Sequence, residues 1–96
     1  MALTKNVKQR HTAAGRRLIG ALREVQSLEI ARRVREVREK LGLTQSQFAH
    51  TFGLSVRSLQ EWEQGRRMPD MAVLTYLRVI ERNPKAVEAA LKPRAA

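Results

Sequence analysis

Arg57 ends a guanidinium fork that can give two parallel N–H bonds to the O6 and N7 of guanine, and Val56 beside it can touch a thymine methyl. The pair Arg66 and Arg67 stands just downstream, where a turn after a helix would run beside a charged backbone. We assign both to phosphate, against the plainer reading that they complement the C-terminal dipole of the helix before them. Other reactive side chains form no constellation. Ser46, Ser55 and Ser58 are explained as caps and surface positions, and no nucleophile–base set, carboxylate pair or glycine-rich phosphate loop accompanies them, so the chain is not expected to be an enzyme or to carry a cofactor. His11 and His50 are far apart and lack acidic or cysteine partners at metal spacing, so no metal is expected; His50 reads as a surface position.

The elements that must position Arg57 are helical. From about Ile30 to Leu41, Ile30, Val34, Val37 and Leu41 recur at helical spacing, with Arg32, Arg33, Arg35, Arg38 and Lys40 on the other sides and Gly42 placed to end the helix. Thr44 with Gln47 three residues on is a capping box, opening a helix that carries Phe48, Ala49 and Phe52 inward and closes at Gly53. Ser55 is a good N-cap for the next helix, in which Leu59 and Trp62 share a face and after which Gly65 stops the chain. Trp62 has the look of a base-stacking aromatic, but its spacing from Leu59 makes it core, and Phe48 and Phe52 likewise. Pro69 and Asp70 offer another helix start, followed by Val73, Leu74, Leu77 and Ile80; Asn83 and Pro84 break the chain before a last short helix with Val87 and Leu91. No run has the two-residue period of a strand, so the fold is expected to be all-α.

Two short helices through a tight turn make a helix-turn-helix, with Ala49 small at the crossing and Gly53 permitting the turn. Such a unit lays its second helix in a DNA major groove about 12 Å wide and its first across the backbone. The balance of charge agrees: 19 Lys and Arg against 9 Asp and Glu give a formal net charge of +10 in 96 residues, and nucleic acid leads the partners that this attracts. No cysteine is present, which excludes disulfides and cysteine-based zinc sites. No apolar run approaches the ~20 residues that cross a bilayer, and the start MALTKNVKQRHT lacks a hydrophobic signal core, so a soluble cytoplasmic protein with no membrane partner is expected.

The stretch LGLTQSQFAHTFGLSVRSLQEWEQGRRMP resembles the helix-turn-helix of the phage-repressor and Cro-like, or XRE, family over about residues 30–82. SVRSLQEWEQGRRMPD followed by LRVIERNPKAVEAAL is similar, more narrowly, to antitoxins of the HigA type. The resemblance implies a five-helix lambda-repressor-like domain, with base reading by Ser55, Val56, Arg57, Gln60 and Glu61, and phosphate contact and buttressing by Gln45, with Ser46 beside it. A carboxylate among phosphates is the awkward member: Glu61 must accept from a cytosine amine or orient Arg57. Because one module spans few base pairs, a homodimer on a palindromic operator of double-stranded DNA is expected, its surface being the helices after Pro69.

The domain so read occupies residues 30–92, with a tail at 93–96 and a basic arm at 1–29 in which residues 1–15 are too polar to order alone. From Arg16 to about Glu29 the residues Leu18, Ile19, Leu22 and Val25 make one face of a further short helix. That face is too small to hold a membrane strongly. It either becomes ordered against a partner or packs back on its own domain. The likeness to HigA-type antitoxins implies such a partner, a ribonuclease toxin from the same operon, which the chain would neutralise while repressing that operon. The net positive charge of residues 1–29 favours the alternative of a stand-alone prophage or metabolic repressor whose arm follows the DNA backbone.

Overall fold

The computed structural model describes residues 12–93. What was expected of residues 1–11, including His11, and of residues 94–96 lies outside them. Five α-helices and no strand make up the described residues: α1 Ala13–Lys40, α2 Gln45–Phe52, α3 Val56–Glu63, α4 Met71–Arg82 and α5 Pro84–Leu91. None is long and apolar enough to cross a membrane.

Each helix starts where a short polar side chain can take a free N–H. Thr12 accepts from the amide of Gly15, Ser55 from Ser58, Asp70 from Val73 and Asn83 from Ala86. Thr44 and Gln47 form the reciprocal capping box, at 3.1 and 3.0 Å. The helix start expected at Pro69 and Asp70 is there: Asp70 is the cap of α4, and Pro69 sits buried one residue before it. Pro84 does occupy the first turn of α5, where its missing N–H costs nothing.

The two helices expected on either side of residue 30 are one. Between Gly20 and Gly42 no glycine or proline interrupts the chain, and Arg32 bridges Glu29 at 2.6 Å and Glu36 at 2.7 Å across the supposed boundary. Ala13–Gly15, expected to be mobile, form its first turn, capped by Thr12. What the sequence reading took for a boundary is a change of face. At 100° per residue, Val34 lies about 160° around the helix from Leu18. The row Ile30, Val34 and Val37 therefore faces the domain, and the row Leu18, Leu22 and Val25 faces away from it. That outer row continues at the same spacing as Glu29, Arg32 and Glu36, so one helix face is apolar for half its length and an ion-pair ladder for the rest.

The core is a single cluster beneath α1. Val34 and Val37 of α1 meet Phe48, Ala49 and Phe52 of α2, Leu59 and Trp62 of α3, Leu77 and Ile80 of α4, and Val87 of α5. The rings of Phe48 and Phe52 lie tilted at 4.9 Å between centroids. Leu91, expected to share the last apolar face with Val87, stays about half exposed. Tyr76 adds a polar tie: its hydroxyl donates to the Phe52 carbonyl at 2.7 Å, and burial raises its pKa.

Candidate nucleic-acid interface

The turn that aims α3 is built from Gly53. It ends α2 in the left-handed conformation (φ 69°), and the amide of Leu54 then reaches back to the Ala49 carbonyl at 2.8 Å. Two residues later Ser55 caps α3. Ala49 is 1% exposed, and the absence of a larger side chain there lets α2 and α3 cross closely.

Below the crossing, an ion pair joins α3 to α1. Arg38 donates from Nε and from a terminal nitrogen to the two carboxylate oxygens of Glu63, both at 2.8 Å, and its other terminal nitrogen donates to the Leu43 carbonyl at 3.0 Å. The bonded carboxylate raises the guanidinium pKa further. Glu63 is 6% exposed, and Gln45 at the start of α2 also donates to it, at 3.2 Å. One carboxylate thereby fastens α1, α2 and the end of α3. Arg38 and Glu63 were missed by the sequence reading, although a signal was there: Arg38 follows Val34 by four residues and Glu63 follows Leu59 by four, so opposite charges sit on the apolar faces of two helices.

The residues singled out from sequence are placed as follows. Ser55, Arg57 and Gln60 are exposed on the first turns of α3, and Val56 is half-buried among them. Glu61 is half-buried on the same helix, one turn after Arg57. Ser46 is exposed at the start of α2, while the side chain of Gln45 turns inward to Glu63. Arg66 and Arg67 follow the left-handed Gly65 and are exposed. Arg67, however, folds back over α3, where a terminal nitrogen donates to Ser58 Oγ at 2.8 Å and Nε lies 3.4 Å from Glu61. His50 is exposed. The expected residues thus divide along α3: Ser55, Val56 and Arg57 at its start, Gln60 and Glu61 one turn on, Arg66 and Arg67 just past its end, and Ser46 at the start of α2.

The outer row of α1 lies apart from this surface. Leu18, Leu22 and Val25 are 61%, 54% and 64% exposed, and Ile19 is half-buried. Leu18, Leu22 and Val25 do not pack back on the domain. At the near end of the row, Ser27 Oγ donates to the Gly65 carbonyl at 3.0 Å, and Leu28, Gly65, Arg66 and Met68 line a shallow groove there.

A model of the helix-turn-helix family matches residues 34–84, from the core row of α1 through α4. The chain belongs to this family of XRE-like DNA-binding regulators. Its described residues show the all-α architecture expected of such a domain. Among curated proteins, the chain is 33% identical over 51 residues to antitoxin HigA-2 of Vibrio cholerae serotype O1, covering 53% of this chain and 49% of that protein. It is 37% identical over 51 residues to an uncharacterized HTH-type transcriptional regulator, YiaG of Escherichia coli K12, covering 53% of each. Antitoxin MqsA of Escherichia coli K12 is 34% identical over 50 residues, covering 52% of this chain and 38% of that protein. The chain thus spans about half, or less, of the length of these curated relatives. No solved structure matches it.

Proposed function

We propose that this helix-turn-helix protein is a cytoplasmic transcriptional regulator, the antitoxin of a type II toxin-antitoxin operon, which neutralises a ribonuclease toxin and represses its own promoter. The observation that carries the reading is the union, on one helix, of a domain-facing row that braces α3 and an outward row at Leu18, Leu22 and Val25 with no cover among the described residues. The printed names of two relatives, both antitoxins, support it.

On DNA, α3 enters the major groove. Arg57 reads guanine, Val56 meets a thymine methyl, and Ser55, Gln60 and Glu61 complete the reading surface. Ser46 and Arg66 hold phosphates, Arg67 is turned back onto Ser58 and Glu61, and Gln45 buttresses the reader through Glu63 rather than by standing free. Two copies bind a palindromic operator with reading heads about 34 Å apart, joined through the helices after Pro69, where Met71, Val79 and Leu91 are exposed. The toxin docks on Leu18, Ile19, Leu22 and Val25, an amphipathic helix seated in a groove.

The test is co-expression with the neighbouring genes and purification of the full chain, wild type beside Leu18→Asp/Leu22→Asp. A small co-purifying ribonuclease, inhibited in the complex and released by the double substitution while operator binding persists, is the expected result. The runner-up is a stand-alone repressor, favoured by the six basic against two acidic side chains in residues 1–29. Retention of operator binding with no ribonuclease partner would decide for it.

A further inference from the structure

Glu61 is the one carboxylate on the reading surface, and both of its oxygens are occupied. Oε1 lies 3.4 Å from Nε of Arg57, one turn earlier on α3, and Oε2 lies 3.4 Å from Nε of Arg67, which arrives from the following loop. Arg67 is pinned a second time by its bond to Ser58. Each guanidinium is thus engaged at its inner nitrogen. The two terminal nitrogens of Arg57, the pair that fits O6 and N7 of guanine, make no hydrogen bond among the described residues.

We propose that Glu61 is a positioning residue for base recognition. Its carboxylate holds Arg57 by Nε so that the free fork points outward at guanine, and it holds Arg67 against Ser58, away from indiscriminate phosphate contact. The inference rests on the reading that α3 enters the major groove. A free arginine carries a large rotamer entropy, and one that is loose beside DNA finds a phosphate on any sequence. A carboxylate that restrains two arginines gives up general affinity for the polyanion and in exchange favours the duplex with guanine at the right place. The ligand class that follows is a half-site presenting a major-groove guanine edge within reach of α3.

The experiment uses the full chain in wild-type, Glu61→Gln, Arg57→Ala and doubly substituted forms. A DNA site is selected by wild type from a random duplex library, and fluorescence anisotropy then compares that site with a scrambled duplex across a salt series. Glu61→Gln is expected to leave the melting temperature unchanged, to tighten binding to the scrambled duplex, and to reduce the preference for the selected site about tenfold, the scale of one bidentate base contact. It should also steepen the salt dependence by about one ion, because Arg67 is released to phosphate. On the Arg57→Ala background the same change should cost no further preference. Unchanged preference and salt slope in Glu61→Gln would overturn the proposal. A loss that persists without Arg57 and is confined to one cytosine would overturn it too, making Glu61 a direct reader. If wild type selects no sequence, the reading of α3 itself falls.

Discussion

Arg38 and Glu63, 25 residues apart in sequence, meet through two hydrogen bonds of 2.8 Å that tie α1 to the end of α3. The pair is asymmetric: the Glu63 side chain is 4% exposed and that of Arg38 15%. Removing the carboxylate leaves a half-buried guanidinium beside the Leu43 carbonyl and an orphaned Gln45 amide. Glu63→Ala is therefore expected to cost about 2 to 4 kcal/mol, the lower part of the range because Arg38 can still reach water. Urea denaturation would show this as a lower midpoint with an unchanged slope. Replacing both partners by apolar residues of similar volume should recover most of the loss.

Two leucines should respond very unequally to the same truncation. Leu59 is fully buried, and Leu59→Ala should cost about 2 to 5 kcal/mol through lost burial and the cavity left behind. Leu22 is 54% exposed on the outer row of α1, and Leu22→Ala should stay within about 0.5 kcal/mol of wild type. Thermal melts of the two variants, beside the partner-binding assay, separate a row kept for docking from one kept for stability.

Gly53→Ala isolates a backbone cost. Nothing lies within 4 Å of an added Cβ, so the loss is that of holding alanine at φ 69°, about 1 to 2 kcal/mol. Because this turn aims α3, the variant should lose operator affinity beyond what its reduced folded fraction explains. Titration of the operator at a temperature where both proteins are fully folded measures that excess.

The arginines near α3 should divide by salt. Arg57→Ala is expected to cost about 1 to 3 kcal/mol and to relax preference at one base pair. Arg66→Ala should weaken binding evenly on all sequences and flatten the salt dependence by about one ion. Affinities at four salt concentrations on the selected and scrambled duplexes distinguish the two patterns.

Tyr76 makes stability depend on alkaline pH. Its folded-state pKa is raised by burial above the ordinary value of about 10, so the proton is held more tightly in the folded state. The contribution is complete below about pH 10 and is lost as pH rises from there through the folded-state value. Tyr76→Phe should cost about 1 kcal/mol at neutral pH, through the bond to the Phe52 carbonyl, and should abolish this component of the alkaline decline. Tyr76 is the chain's one tyrosine, so the difference between the two melting curves from pH 8 to 11.5 reports it alone.

The helix-turn-helix was legible because its signals are local. The Thr44–Gln47 box, the Ser55 cap and the left-handed Gly42, Gly53 and Gly65 each act within a few residues of themselves. The inward positions Phe48, Ala49, Phe52, Leu59 and Trp62 follow from period alone. What escaped the reading depends on distance or on continuity. The Arg38–Glu63 pair, 25 residues apart along the chain, needs α1 and α3 to be assembled before its charges meet, and the contact of Ser27 with Gly65 spans 38 residues. The single helix α1 was divided because its apolar register changes near Glu29, and a change of face resembles an interruption when only one face is followed.

That unbroken helix has a mechanical consequence. Leu18 and Val34 are about 24 Å apart on one rod, at 1.5 Å per residue. The rod's inner end is clamped in the core, and Ser27 rests on the carbonyl of Gly65 at the exit of α3. It is a lever with its fulcrum at the exit of α3, so a load applied at Leu18 would reach Gly65 as torque, well away from the surface of α3 proposed to meet bases.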